Sequence, residues 1–198
     1  ALSFSSLAKE ELLRSRKKYA PAERQALLIA LINTAGSLTL KSGGGLGVRF
    51  LTENYALGRF IAKLVTGMYP VAAQTVLREQ ERLRSRATLV LVEGEGVARL
   101  LHDTGVLRGG EEGLEFAGPP PMEEIVTPAQ KKAFLRGAFL GGGSVSNPKR
   151  AYHLEFVCNT QAFSGALAAL LREFDLPAKA LRRKERYVVY LKDADAIS

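Results

Sequence analysis

Tryptophan is absent from this chain of 198 residues, methionine and histidine occur twice each, and cysteine occurs once. A lone thiol, Cys158, excludes an internal disulfide, and in an apolar strand it is expected to act as a small buried hydrophobe. His102 and His153 have no cysteine or histidine at ligand spacing, so no zinc centre is expected, and nothing calls for another metal or a cofactor. The longest unbroken apolar run, Ala26 to Ile32, falls far short of the roughly 20 residues that a membrane-spanning helix needs. No leader-like segment precedes the first helix, so a cytoplasmic protein without a membrane partner is expected. Hydrophobic residues make up 46% of the chain, enough to build a core and to exclude a disordered polymer.

Charge is unevenly spread. Residues 1–104 hold 15 basic and 9 acidic side chains, residues 105–127 hold 1 and 5, and residues 128–198 hold 12 and 6. Two basic units thus flank an acidic, Gly- and Pro-rich connector containing Gly109-Gly110, Gly113 and Pro119-Pro120-Pro121. The connector reads as an exposed, partly extended linker. Two basic lobes point to a polyanionic partner, against the alternative that the charge serves solubility alone.

The units are copies. Leu28-Ile29-Ala30-Leu31-Ile32-Asn33-Thr34-Ala35-Gly36-Ser37 and Leu135-Arg136-Gly137-Ala138-Phe139-Leu140-Gly141-Gly142-Gly143-Ser144 are both apolar helices that end in small residues and run straight into a strand. Gly36 and Gly143 lie 107 apart, and Phe50 and Phe156 lie 106 apart. A near-constant offset of this size marks a tandem duplication and implies a pseudo-two-fold particle, suited to a two-fold partner such as duplex DNA. Each unit reads as helix, two strands, helix, two strands, helix, an α+β order with adjacent hairpins.

The pattern places a helix capped by Ser5 or Ser6 and running through Arg16, a helix from Pro21 ended by Gly36, and strands near 37–42 and 47–52. A helix capped by Asn54 stops before Pro70, strands follow near 71–78 and 86–92, and a short helix runs from Glu95 to Leu101. The second unit gives a helix over 128–142, strands near 144–147 and 152–158, a helix over 160–173, strands over 177–183 and 186–192, and a helix from Asp193. The chain starts without methionine and stops at Ser198, inside that last helix, so a fragment is expected.

Two such units, each led by an apolar helix with a small-residue tip, resemble the LAGLIDADG homing-endonuclease fold, whose motif aligns without gaps onto Leu28–Gly36 and Leu135–Gly143. The resemblance implies that the two leading helices pack side by side, with Ala26 and Ala30 facing Gly137 and Gly141. It also implies that a nuclease would carry a metal-binding carboxylate at the tip of each helix. Those positions are Ala35 and Gly142, and neither side chain can hold a cation. Glu53 and Glu155, a strand further on, read as surface charges. No catalytic residue is assigned, and the chain is read as a non-enzyme.

The phrases Ser3-Phe4-Ser5-Ser6-Leu7-Ala8-Lys9-Glu10-Glu11-Leu12, Phe134 to Val145, Tyr152-His153-Leu154-Glu155 and Arg183 to Lys192 further resemble the WhiA family of bacterial regulators, over essentially the whole chain. The resemblance implies a degenerate LAGLIDADG domain in a transcription regulator of sporulation and cell division, associated with the nucleoid. Partners among transcription and cell-division proteins are implied as well. It further implies a C-terminal helix-turn-helix domain that reads promoter DNA, which this chain does not include.

Candidate phosphate contacts cluster in the hairpins: Arg78, Arg82, Arg84 and Arg86 in the first unit, and Arg182, Arg183, Lys184 and Arg186 in the second. Lys41, Arg49, Lys149 and Arg150 add to them, and together they are expected to form a symmetric basic rim. Strand alternation sets Arg49 opposite the inward Val48 and Phe50, and sets His153 and Glu155 opposite the inward Leu154 and Phe156. Glu155 would repel phosphate there. The competing reading is a protein-interaction module that binds an acidic partner without touching DNA.

Overall fold

The structure is a computed structural model and describes residues 3–15, 17–80, 85–110, 113–116, 118–146 and 153–191. At its centre two helices, α2 (Pro21–Ile32) and α5 (Pro128–Gly142), lie side by side. Both begin on a proline, where the missing N–H costs nothing. The Glu23 carboxylate accepts the Ala20 N–H at 3.3 Å, and Thr127 and Gln130 cap the start of α5 reciprocally. Every residue from Ala26 to Ile32 is at most 3% exposed, because α2 is packed from several sides at once.

Each central helix feeds a four-stranded antiparallel sheet. In the first, β1 (Gly36–Leu40), β2 (Leu46–Thr52), β3 (Ala72–Gln80) and β4 (Ser85–Glu93) lie in the order β1-β2-β4-β3. In the second, β7 (Gly143–Val145), β8 (Leu154–Cys158), β9 (Lys179–Arg183) and β10 (Arg186–Leu191) lie in the order β7-β8-β10-β9. The orders match strand for strand, as duplication requires. The turn between β1 and β2 holds Gly43 and Gly44 at φ of 104° and 90°, a region that only glycine enters freely.

Helices back both sheets. Asn54 Oδ1 accepts the Leu57 N–H at 3.1 Å to start α3 (Tyr55–Met68), which buries Leu57, Ile61, Leu64 and Val65 along one stripe and ends before Pro70. Thr160 does the same for α6 (Gln161–Glu173), whose Phe163 ring lies 5.4 Å from that of Phe134 on α5. The short α4 (Val97–Asp103) closes the first unit. The helix expected from Asp193 lies outside the described residues.

Three sequence expectations need correction. The first helix, α1 (Phe4–Arg14), is capped by Ser3, whose Oγ accepts the Ser6 N–H at 3.1 Å, and it ends before Arg16. Ser5 instead reaches across the molecule: its Oγ accepts the Val145 N–H at 2.7 Å and donates to the Val145 carbonyl at 3.0 Å, closing the free edge of β7. Gly36 opens β1 rather than ending α2, which stops at Ile32 with Asn33 as its cap. The connector is not simply exposed: β5 (Leu107–Gly110) pairs with β6 (Gly113–Phe116), and Leu107 and Ile125 are buried in the shared core.

The repeats are also sewn together by Asn159. Its backbone N–H donates to the Asn33 carbonyl at 3.0 Å and its side-chain amide to the Gly36 carbonyl at 2.8 Å. These bonds satisfy the carbonyl of the α2 cap residue Asn33 and that of Gly36 at the start of β1. Asn159→Ala is expected to lower unfolding free energy by about 1–3 kcal/mol, measured by urea titration. A midpoint unchanged from wild type would show that the joint carries no load.

Candidate nucleic-acid interface

The LAGLIDADG resemblance puts a nuclease's acids at the tips of α2 and α5, and here the glycines along α5 lie in close contact with α2 and β8. A Cβ added to Gly137 would lie 2.7 Å from the Leu27 carbonyl oxygen and 3.0 Å from the Ala30 Cβ. One added to Gly141 would lie 2.0 Å from the Thr34 hydroxyl, which donates to the Ala30 carbonyl at 2.8 Å. At Gly142 it would fall 2.3 Å from the Val157 carbonyl oxygen. Ala26 is fully buried further back along α2, and Ala35 is half-buried at its tip. Neither tip position carries a carboxylate, and the described residues contain no group of three or more His, Cys, Asp or Glu placed to hold a metal ion.

Strand register divides the predicted cations between two faces. In the first sheet Phe50 pairs with Gly36 and Val90 on the face that packs on the helices, so Arg49, Leu51, Leu89, Leu91, Gln74, Val76 and Arg78 share the outer face. Arg86 has the opposite parity from Arg78 and stands across from Glu79. In the second sheet the outer face carries Glu155, Val157, Val188, Tyr190, Lys179, Leu181, Arg183 and Arg186. Arg182 falls on the other side, its guanidinium 6.0 Å from the centre of the Tyr187 ring. A single symmetric rim is therefore not what the strands build. Arg86 and Arg182 leave the outer faces, and Lys179, which the sequence reading passed over, joins one.

Two further candidates have carboxylates against them. Lys41, beside the β1–β2 turn, pairs with Glu93. Arg183 meets Glu155 at 2.7 Å, and His153 Nε2 lies 3.1 Å from the same carboxylate. Glu155 thus opposes phosphate binding indirectly, by occupying Arg183. Lys184 holds a left-handed turn position with φ 57° between β9 and β10. Arg82, Arg84, Lys149 and Arg150 lie outside the described residues.

Burial pushes the Glu155 carboxyl up, but hydrogen bonds from His153 and Arg183 and their charges outweigh it and hold the group below its ordinary value of 4.5. The folded carboxyl is the stronger acid, so the cluster stabilises the fold above the unfolded value and loses that contribution as pH falls through the folded one. Glu155→Gln is expected to flatten the acid limb of the stability profile below about pH 4.5. An unchanged limb would mean the cluster is not linked to folding. Cys158 is fully buried, and burial pushes its thiol up to about 12, which removes it as a nucleophile.

Two matched helix-led units around a helix pair define a LAGLIDADG-like protein whose helix tips lack acids. Comparison with known proteins agrees. The model of the WhiA N-terminal LAGLIDADG-like domain matches residues 21–107, and that of the WhiA LAGLIDADG-like domain matches residues 131–198. A probable cell division protein WhiA from Alkaliphilus metalliredigens is 37% identical across 99% of this chain and 62% of the relative. The one from Clostridium tetani is 34% identical across 100% and 62%. This chain therefore belongs to the WhiA family and spans about 62% of the length of these relatives. The crystal structure of the N-terminal LAGLIDADG domain of DUF199/WhiA superposes with a TM-score of 0.74 at 22% identity, covering 98% of this chain and 86% of that one. The homing endonuclease I-DmoI in complex with DNA and Mn superposes at 0.57 with 13% identity, covering 89% and 93%, a likeness of fold alone. No described helix is long and apolar enough to cross a membrane.

Proposed function

We propose that this chain is the non-catalytic, DNA-associated part of a WhiA-type transcription regulator that serves cell division and sporulation, and that it works at the nucleoid in the cytoplasm. The observation that carries the reading is the pairing of acid-free helix tips with cations on the outer sheet faces: Arg49 and Arg78 on one sheet, Lys179 and Arg186 on the other. Such faces hold duplex DNA through its phosphates and leave sequence reading to the helix-turn-helix domain that the family resemblance implies. Side chains in the tight central helix pair contribute architecture, not chemistry.

Binding to a random duplex is expected with Kd on the order of 10⁻⁴–10⁻⁶ M at physiological salt, weakening steeply as salt rises. Replacing Arg49, Arg78, Lys179 and Arg186 together by glutamine should remove about four phosphate contacts and reduce the salt slope by roughly 0.9 for each. Fluorescence anisotropy across a salt series measures both. A quadruple variant that retains the wild-type slope would place the contacts elsewhere.

A second reading draws on the apolar content of the same faces. Leu51 is 49% exposed and Leu181 37%, and a carboxylate occupies Arg183. A protein partner with an acidic rim and an apolar centre would fit that surface. Absence of any anisotropy change with duplex at low salt would favour it over DNA contact.

A further inference from the structure

A cavity of about 650 Å³ opens where the two repeats cease to match. On one side of the pseudo-two-fold, Asn159 closes the end of α2 with the two bonds already described. The residue 106 positions earlier, at the matching place in the first repeat, is Glu53. Among the described residues Glu53 makes no hydrogen bond to the end of α5, and the space between it and Gly141–Gly143 is this cavity. Duplication supplied two equivalent joints, and the chain keeps one sealed and the other open.

Besides the end of α5 and the start of β7, four further elements supply its walls. Helix α1 contributes Ser3, Ser6, Lys9 and Glu10, β4 contributes Arg86, the start of α3 contributes Tyr55, and β2 contributes Leu51. Lys9 is the informative group. Its ammonium lies 5.7 Å from the centre of the Phe139 ring, and burial pushes its pKa below the ordinary lysine value while the charge of Glu53 pulls it back up. None of the ion pairs among the described residues includes Lys9, whereas Glu10 is engaged by Arg14 at 3.7 Å. A partly desolvated ammonium outside any ion pair among the described residues gains when an anion arrives. Glu53 is exposed and accepts donors, and Tyr55, 50% exposed, offers a ring face. The volume falls within the range of small-molecule sites.

We propose that this cavity binds a small phosphorylated metabolite of mononucleotide size. Its phosphate is met by Lys9, with Arg86 as the second cation of the wall. Its hydroxyl or amine groups donate to Glu53, and its ring lies against Tyr55 and Leu51. The cavity adjoins the outer face of the first sheet, to which Leu51 belongs, so competition with a random duplex distinguishes a metabolite site from the DNA surface.

Isothermal titration of this chain with AMP, GMP, CMP, UMP and glucose 6-phosphate tests it. At least one is expected to bind with Kd below about 1 mM, and its unphosphorylated counterpart should bind at least about tenfold more weakly. Lys9→Gln should weaken the same compound about tenfold with the circular dichroism spectrum unchanged, and Lys63→Gln, outside the cavity, should leave it intact. If Lys9→Gln fails to fold, Arg86→Gln gives the same reading from another wall. The proposal is overturned if none of the five binds, if both folded cavity variants bind as wild type does, or if the unphosphorylated compound binds equally. It is also overturned if a random duplex displaces the metabolite, which would assign the phosphate site to DNA.

Discussion

A Gly142→Asp variant is expected to lose about 4 kcal/mol or more of stability and to gain no Mg²⁺-dependent nicking of supercoiled plasmid. The substitution places an acid at a position where the nuclease fold would use one, but the backbone has no room for it. The new Cβ would fall 2.3 Å from the Val157 carbonyl oxygen, inside a strand held between β7 and β10. Neither neighbour yields as a surface side chain would, so overpacking of about 1–3 kcal/mol is the floor. A carboxylate beside that carbonyl, at the negative end of α5, adds electrostatic cost. Ala35→Asp provides the contrast, because a Cβ is already accommodated there and the tip is half-buried. Its cost should stay near 1 kcal/mol, chiefly from the helix dipole. Urea midpoints of the two variants and a plasmid assay decide the matter. Metal-dependent cleavage by either purified variant would overturn the claim that this scaffold has been rebuilt away from catalysis.

The second large effect belongs to the helix pair. Gly137→Leu is expected to leave no cooperative unfolding transition at 25 °C, read by circular dichroism. Even the first added carbon would meet the Leu27 carbonyl at 2.7 Å, and three more have nowhere to go between helices whose separation is set by that contact. Helix propensity pulls the other way, since an interior glycine costs about 1 kcal/mol relative to alanine, but that gain is too small to offset a backbone clash. Gly165 on α6 isolates the propensity term. Nothing lies within 4 Å of a Cβ placed there, so Gly165→Ala should stabilise by about 0.5–1 kcal/mol. A folded Gly137→Leu protein would mean that α2 and α5 can separate without loss, which would undo the fold argument.

The repeated helix-to-strand junction was legible because it is local: Pro21 and Pro128 at the starts, an apolar stripe, then small residues. Asn54 could be read as a cap for the same reason. The ends of things were harder. Ser5 and Ser6 read as caps on paper, but Ser3 caps the helix, and only the distant edge of β7 explains why Ser5 is used elsewhere. Gly109, Gly110 and Gly113 signal a flexible linker and a tight hairpin equally well, so the β5–β6 pair was hidden in the connector. For the candidate interface, alternation along β2 placed Arg49 correctly without any partner strand. Arg86 and Arg182 could not be assigned to a face without the cross-strand register, and Lys179 was missed for want of the same information. The bond between Arg183 and Glu155 depends on β10 lying between β8 and β9, a fact of topology that no spacing along the chain encodes. The Asn159 joint, and the cavity at the matching Glu53 position, depend on contact between repeats more than a hundred residues apart.

That same separation bears on synthesis. The stretch Ala26–Ile32 needs α5 to cover it, and α5 ends at Gly142. At about 5–20 residues per second, a ribosome takes about 5–20 s to make the intervening hundred or so residues. For that interval the side of Ala26–Ile32 that α5 covers stays open on the nascent first repeat, a natural substrate for a chaperone. Slow codons after the first repeat should therefore lower the soluble yield, whereas slow codons after Gly142 should not.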